Sequence, residues 1–277
     1  MEFLKKHSNK LIVSLGAAAL LVGGYYVIKN NQPKIIKQNG EEVSITSNNS
    51  VVFVKDDKYH SAMEKLKPMV ASELSGDGLS KQTIIQVNQM VIHVFKSDYL
   101  RILVEGRKVR RKFIDNAERY AKEFFKYTTD AEKLMENASI EVLRDLGISM
   151  EEYERSSERI MANDSNFAMF NLYMFESVKM QMPSAKSEPL KKEQLIDILS
   201  YQAANYSTKE FDNLGLSPQQ ITMLKQTYVS DKASLKFGYE EEDIMKNPEL
   251  LQDPEVGAAQ KKLQEAIFGG QEGSIGF

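Results

Sequence analysis

The chain has 277 residues, 42% of them hydrophobic and 27% charged, with a formal net charge of −3 and a pI near 5.8. That composition is globular and argues against a general nucleic-acid binder, whose electrostatic footprint is a strongly basic domain. Cysteine is absent, which excludes a disulfide framework, a thiolate zinc site and a cysteine nucleophile; with only His7, His60 and His93, a histidine-based metal site or triad is not expected either.

The first element in chain order is an uncharged run from Leu11 to Ile28, fenced by Lys10 and Lys29. As a helix it reaches about 27 Å, close to the ~30 Å hydrocarbon thickness of a bilayer. A cleavable signal needs small residues near the end of its apolar stretch, but Ala17, Ala18 and Ala19 lie in the middle of this one. Tyr25 and Tyr26 stand at its far edge, where rings that are apolar on one side suit a membrane interface. The expectation is one uncut transmembrane anchor over residues 1–29. Lys5, Lys6 and Lys10 on one flank balance Lys29, Lys34 and Lys37 on the other, so the charge rule assigns no orientation. Two small-xxx-small pairs, Ser14 with Ala18 and Ala19 with Gly23, predict close packing against a second membrane helix. The first ten residues hold Glu2 and no arginine, unlike a cleavable mitochondrial presequence. An uncleaved anchor on a chain rich in Lys, Asn and Gln suits a mitochondrial or a bacterial inner membrane; the mitochondrial inner membrane is the location expected, with the bacterial one as the alternative.

Residues 30–60 read as a tether carrying a short β-hairpin, with β-branched runs on either side of Asn48-Asn49-Ser50. Everything beyond is helical, so the fold class expected is mainly α: a transmembrane helix, a hairpin, then an all-α region over residues 61–182 and a C-terminal helical region with a flexible tail over 183–277. A first helix is predicted from Ser61 to Leu74, bent at Pro68 and ended by the Ser75–Gly78 turn. From Leu79 to Tyr127 apolar residues recur at helical spacing, as one long helix or two stacked ones with kinks at Lys96-Ser97-Asp98 and Gly106. Short helices follow. Asp130 is expected to cap a turn through Glu136, Ser139 to cap the stretch closed by Gly147, and Ser149 with Glu152 to form a capping box. The stretch from Phe167 to Met182 is apolar nearly all round and reads as a helix buried on every side, or else as a partner surface rich in Met and aromatic side chains. After the Pro183–Pro189 linker, helices are predicted at Leu190–Tyr206, at Pro218–Leu235 capped by Ser217, and at Pro254–Phe268 capped by Asp253. No internal repeat is evident.

The densest basic cluster, Arg107, Lys108, Arg110, Arg111 and Lys112, puts its arginines within one helical turn. It is assigned to an acidic partner or anionic lipid headgroups, against the alternative of a solvated face or ion pairs with Asp115, Glu118 and other acids. The carboxylate runs Met150–Glu154 and Tyr239–Asp243 lack the alternation of a calcium loop and read as solvated. The Ser75–Ser80 stretch lacks the Lys-Ser/Thr of a phosphate loop and reads as a turn.

One fragment resembles a known family. Asn247 to Phe268, with its Asn247-Pro248 and Asp253-Pro254-Glu255-Val256 starts, is similar to the Asn-Pro and Asp-Pro-Glu-Val repeats in helical domains of heat-shock co-chaperones. The same dipeptides are ordinary helix starts, and the tetratricopeptide repeats of that family are not recognisable, so the co-chaperone role is not carried over. The function expected is a membrane-anchored, non-catalytic accessory or scaffold subunit of a larger membrane complex. Its expected partners are other subunits, the bilayer and anionic lipid, with no nucleic acid and no cofactor. The alternative is an anchored adaptor that recruits a soluble chaperone or receptor through its C-terminal helices. An enzyme with its residues scattered over separate helices comes third.

Overall fold

The computed structural model describes residues 53–186 and 188–269. Within them the chain is mainly helical and has no strand. The helices are α1 (Asp57–Leu74), α2 (Lys81–Arg111), α3 (Ala117–Leu146), α4 (Met150–Asn163), α5 (Ser165–Lys179), α6 (Lys192–Asn205), α7 (Pro218–Phe237), α8 (Glu241–Met245) and α9 (Pro254–Phe268), with a 3₁₀ turn at Leu250–Gln252. None of the described helices is long and apolar enough to cross a membrane. The Leu11–Ile28 run with Ser14, Ala18, Ala19 and Gly23, and nearly all of the expected hairpin, lie outside the described residues.

The chain divides into two compact units. The amino-proximal unit comprises the described residues up to Tyr99 together with Asp130–Phe175; the carboxy-proximal unit comprises Leu100–Thr129 and the described residues from Glu176 onward. The Pro183–Pro189 linker falls inside the second of these.

In the amino-proximal unit α1 starts where the Asp56 carboxylate accepts the Tyr59 N–H at 2.9 Å. It buries one stripe, Tyr59, Met63, Leu66 and Val70, while Pro68 sits inside the helix on its exposed side. The turn after it is held from both ends. Glu73 accepts the Ser80 N–H at 2.8 Å and the Thr83 hydroxyl at 2.9 Å, and Arg159 of α4 donates to the carbonyls of Asp77 and Leu79. Gly78 takes φ 91° there, a value that other residues rarely adopt. The apolar spacing of α2 is realised as buried Ile84, Val87, Val91 and Val94. Its buried Asn88 donates to Asn171 at 3.1 Å and accepts from the Tyr153 hydroxyl, which leaves a polar seam without charge.

Of the two readings of Leu79–Tyr127, one long helix or two, two long helices form, and the second takes in the short pieces expected after Asp130. The first runs unbroken through Lys96–Asp98 and Gly106 to Arg111, and the chain turns only at residues 112–116. Gly106 marks a close approach, because a Cβ there would stand 2.8 Å from the Tyr127 ring. Asn116 supplies the missed boundary by accepting the Arg119 N–H at 3.0 Å. The second long helix, α3, absorbs both short helices predicted after Asp130. Thr128 and Ser139 bond back to the carbonyls of Phe124 and Met135 at 2.9 Å each, so Ser139 rides within the helix and caps nothing. Gly147, at φ 72°, closes α3 as expected, with the Ile148 N–H returning to the Leu143 carbonyl at 3.0 Å. The Ser149–Glu152 capping box of α4 is also present. α5 is not buried all round: Phe167, Asn171, Met174 and Val178 face inward while Tyr173 is 45% exposed.

The carboxy-proximal unit holds two apolar clusters. In one, α6 packs mainly on α9 through Leu195, Ile198, Leu199, Val256, Leu263 and Ile267. The other is aromatic, with Tyr120, Phe211 and Tyr228 in edge contacts of 4.9–5.0 Å between Tyr228 and its two neighbours.

Candidate functional site

Arg107, Arg110 and Arg111 stand three and four residues apart near the end of α2, which puts them on one helical face. What meets them comes from much later in the chain. Asp231 lies within α7; that helix ends at Gly238 in the left-handed conformation (φ 76°), and the reversal sets Glu240 as the cap of α8 and Glu242 in its first turn. Glu242 takes Arg107 in a two-pronged pair at 2.7 and 3.0 Å. Glu240 takes Arg111 at 2.7 Å on both prongs. Asp231 accepts Arg110 at 2.6 and 3.1 Å, Arg111 at 2.8 Å and the Tyr120 hydroxyl at 2.7 Å.

Three guanidinium groups and three carboxylates balance in charge. Both Asp231 and Glu242 are only 2% exposed at the side chain. Burial disfavours ionisation of Asp231, but the two guanidiniums and the tyrosine hydroxyl outweigh it and hold the carboxyl below its usual range. Glu240 is held down in the same way by Arg111 and Arg107. The three arginines are pushed the other way: burial works against their charge, yet their carboxylate partners raise each above the ordinary value. A group locked in this manner does not exchange protons near neutral pH, and its guanidinium edges are occupied.

The acid that meets the three arginines is therefore supplied from within the chain, by residues that sequence distance hides. Asp115 and Glu118, the acids expected from sequence, are exposed and are not the partners. The run Tyr239–Asp243 is not the solvated stretch it resembled: Tyr239 is 4%, Glu242 1% and Asp243 4% exposed. The one signal available was the helical spacing of the three arginines; it marked their half of the site and not Asp231, Glu240 or Glu242. Lys108 and Lys112 remain exposed.

Beside the cluster is a cleft of about 110 Å³. Gln226, whose buried Oε1 has no hydrogen-bond partner, and the half-buried Glu241 are among the residues that line it. Burial pushes the Glu241 carboxyl up. No group of histidine, aspartate or glutamate suited to a metal ion occurs among the described residues. His93 pairs with Asp56 at 2.9 Å, and His60 lies edge-on to Tyr59. Neither stands beside a nucleophile in the manner of a triad.

Comparison with protein-family models, with characterised proteins and with solved structures finds no match. The function must be argued from the chain itself.

Proposed function

We propose that this chain is a membrane-tethered, non-catalytic helical scaffold, an accessory subunit of a larger assembly in a mitochondrial inner membrane. The observation that carries the non-catalytic part is the pairing of Arg107, Arg110 and Arg111 with Glu242, Asp231 and Glu240. The densest cluster of charged groups is engaged in holding α2, α7 and α8 together, where reactive chemistry would need such groups free to exchange protons or take a substrate. The tether rests on the Leu11–Ile28 run. Anionic lipid remains a partner for the exposed Lys108 and Lys112, each worth about 1 kcal/mol near a charged membrane surface.

The adaptor reading has less support, because the apolar face of α9 on which it relies is buried against α6 within the same unit. Solubilisation in mild detergent followed by native mass analysis tests the scaffold. A stoichiometric complex that survives moderate salt is expected; a monomer overturns the reading. Intact mass checks the tether, and a mature start between Ala18 and Asn30 would rule it out.

A further inference from the structure

The cleft of about 110 Å³ beside the ion cluster lies within the carboxy-proximal unit, and α7, α8 and α9 each bring to it a polar side chain that the fold leaves unsatisfied. Gln260 of α9 is 7% exposed, and among the described residues its amide has no hydrogen-bond partner. Gln226 of α7 buries its Oε1 without a donor. Glu241 of α8 forms neither a hydrogen bond nor an ion pair with any described residue. Each such group costs stability unless a donor or a counter-charge reaches it. Charge decides what that must be. The charged groups that act on Glu241 are Lys179, Glu176, Glu242 and Arg107, and they form two pairs, Lys179 with Glu176 at 3.1 Å and Arg107 with Glu242 at 2.7 Å. Arg110 and Arg111 are matched by Asp231 and Glu240. Of the carboxylates lining the cleft, Glu241 alone has no cation of its own.

We infer that this cleft is a binding site for a primary alkylammonium group. An ammonium carries three N–H donors and no acceptor, which matches in kind and number the Glu241 carboxylate, the Gln226 Oε1 and the Gln260 amide oxygen. Its charge supplies the cation that Glu241 lacks. Half-buried Ile244 and Leu251 also line the cleft and offer apolar surface to a short run of methylenes. Size sets the length of that run. A cavity of about 150 Å³ takes benzene, so one of about 110 Å³ suits about five heavy atoms, the size of butylammonium. An anion would add a second unmatched negative charge beside Glu241, and a quaternary ammonium has no N–H for the two glutamines. A metal ion is not selected, because no set of three ligating side chains occurs among the described residues. The same ammonium chemistry is carried by a free short-chain amine and by the end of a lysine side chain. The site goes beyond the scaffold reading and does not depend on it.

The test uses the full chain in an uncharged detergent and saturation-transfer NMR with butylamine, butanol and butyrate, three probes of one length that differ in the charged end. Butylamine is expected to bind saturably at mildly alkaline pH, and the other two to bind about tenfold more weakly or not at all. Glu241→Gln should weaken butylamine by about tenfold and abolish its advantage over butanol. That variant removes an unpaired charge, so loss of binding with an unchanged circular dichroism spectrum reports the site and not the fold. Gln226→Met, close in volume but without the amide oxygen, provides a second and smaller loss. N-acetyl-lysinamide identifies the source: tighter binding than butylamine assigns the site to a lysine of a partner protein, weaker binding to a free amine. Equal binding of butylamine and butanol would overturn the inference by leaving an apolar crevice only, and preference for butyrate would overturn it by giving the site to the guanidiniums. Displacement of butylamine by an equal concentration of potassium chloride, or binding unaffected by Glu241→Gln, would overturn it as well.

Discussion

The two compact units bury polarity of opposite kinds. In the amino-proximal unit the buried polar residues are Thr83, Asn88, Ser156, Ser157 and Asn171, none of them charged; in the carboxy-proximal unit they include Glu176, Lys179, Asp231, Glu242 and Asp243. An amide or hydroxyl taken from water needs one or two neutral hydrogen bonds to break even, whereas a charge needs a counter-charge and nearly every lone pair or proton engaged. The first unit therefore tolerates a local vacancy, and the second is closer to all-or-none around its ion cluster. The largest effect expected follows from this. Asp231→Asn removes the one carboxylate shared by Arg110, Arg111 and Tyr120 and leaves buried guanidinium charge uncompensated, at a cost of about 3–5 kcal/mol. A urea titration reads it as a lower midpoint, and hydrogen exchange should show the loss in α7 before α4.

Acid should separate the units in the same direction. The folded Asp231 and Glu240 carboxyls lie below their ordinary values of 3.8 and 4.5. Their contribution is complete above that range and is lost as pH falls through the folded values, where the unfolded chain takes up protons first. Glu73 and Asp145 of the other unit are also depressed, but they are better solvated and contribute less. Exchange of α7 amides should therefore accelerate on acidification before that of buried α2 amides such as Val87 and Val91; simultaneous loss would break the distinction.

An intermediate effect is expected in the uncharged seam. Asn88→Leu strips Asn171 and the Tyr153 hydroxyl of a shared partner, costing about 1–3 kcal/mol. Adding Asn171→Leu should return part of that loss, because the second unpaired amide goes with it. No single second substitution can do the same for Asp231, which has three partners.

The sign reverses at Glu241. Burial raises its folded pKa above 4.5, so the folded state binds the proton more tightly, and stability declines as pH rises from the ordinary value through the folded one. Glu241→Gln should stabilise the protein at neutral pH, by less than any loss above, and change little below pH 4.5.

How much of this was legible follows the range of the interactions. The capping box at Ser149 and Glu152, the Ser217-Pro218 and Asp253-Pro254 starts and the Gly147 stop are made by residues a few positions apart, and the sequence displays them. The helix boundary at Asn116 was hidden because its cap stands among charged and aromatic residues with no apolar run to announce it. Ser139 looked like a break because a hydroxyl that bonds back to its own helix is indistinguishable in sequence from one that caps the next. The cluster is the extreme case. Arg111 and Asp231 are 120 positions apart and Arg107 and Glu242 are 135, and periodicity carries no information over such distances. What sequence did offer was the arginine spacing itself, and it located one half of the site.

The smallest effect sharpens the comparison most. Lys58→Gln and Lys65→Gln, together, should leave the urea midpoint and the circular dichroism spectrum unchanged. Both side chains are exposed and neither forms an ion pair among the described residues; the one interaction lost is the solvent-screened pull of Lys58 on the Asp56 cap, too weak to move the midpoint. The pair is equal in charge to the two guanidiniums that Asp231 holds, yet the opposite outcome is expected, because stability responds to whether a charge is buried and matched and not to how many charges there are. A clear fall in midpoint would mean that these lysines hold the amino-proximal unit together as the arginines hold the other, and the contrast between the units would then be one of location alone. An unchanged midpoint, set beside the loss at Asp231, leaves burial and matching as what separates the two.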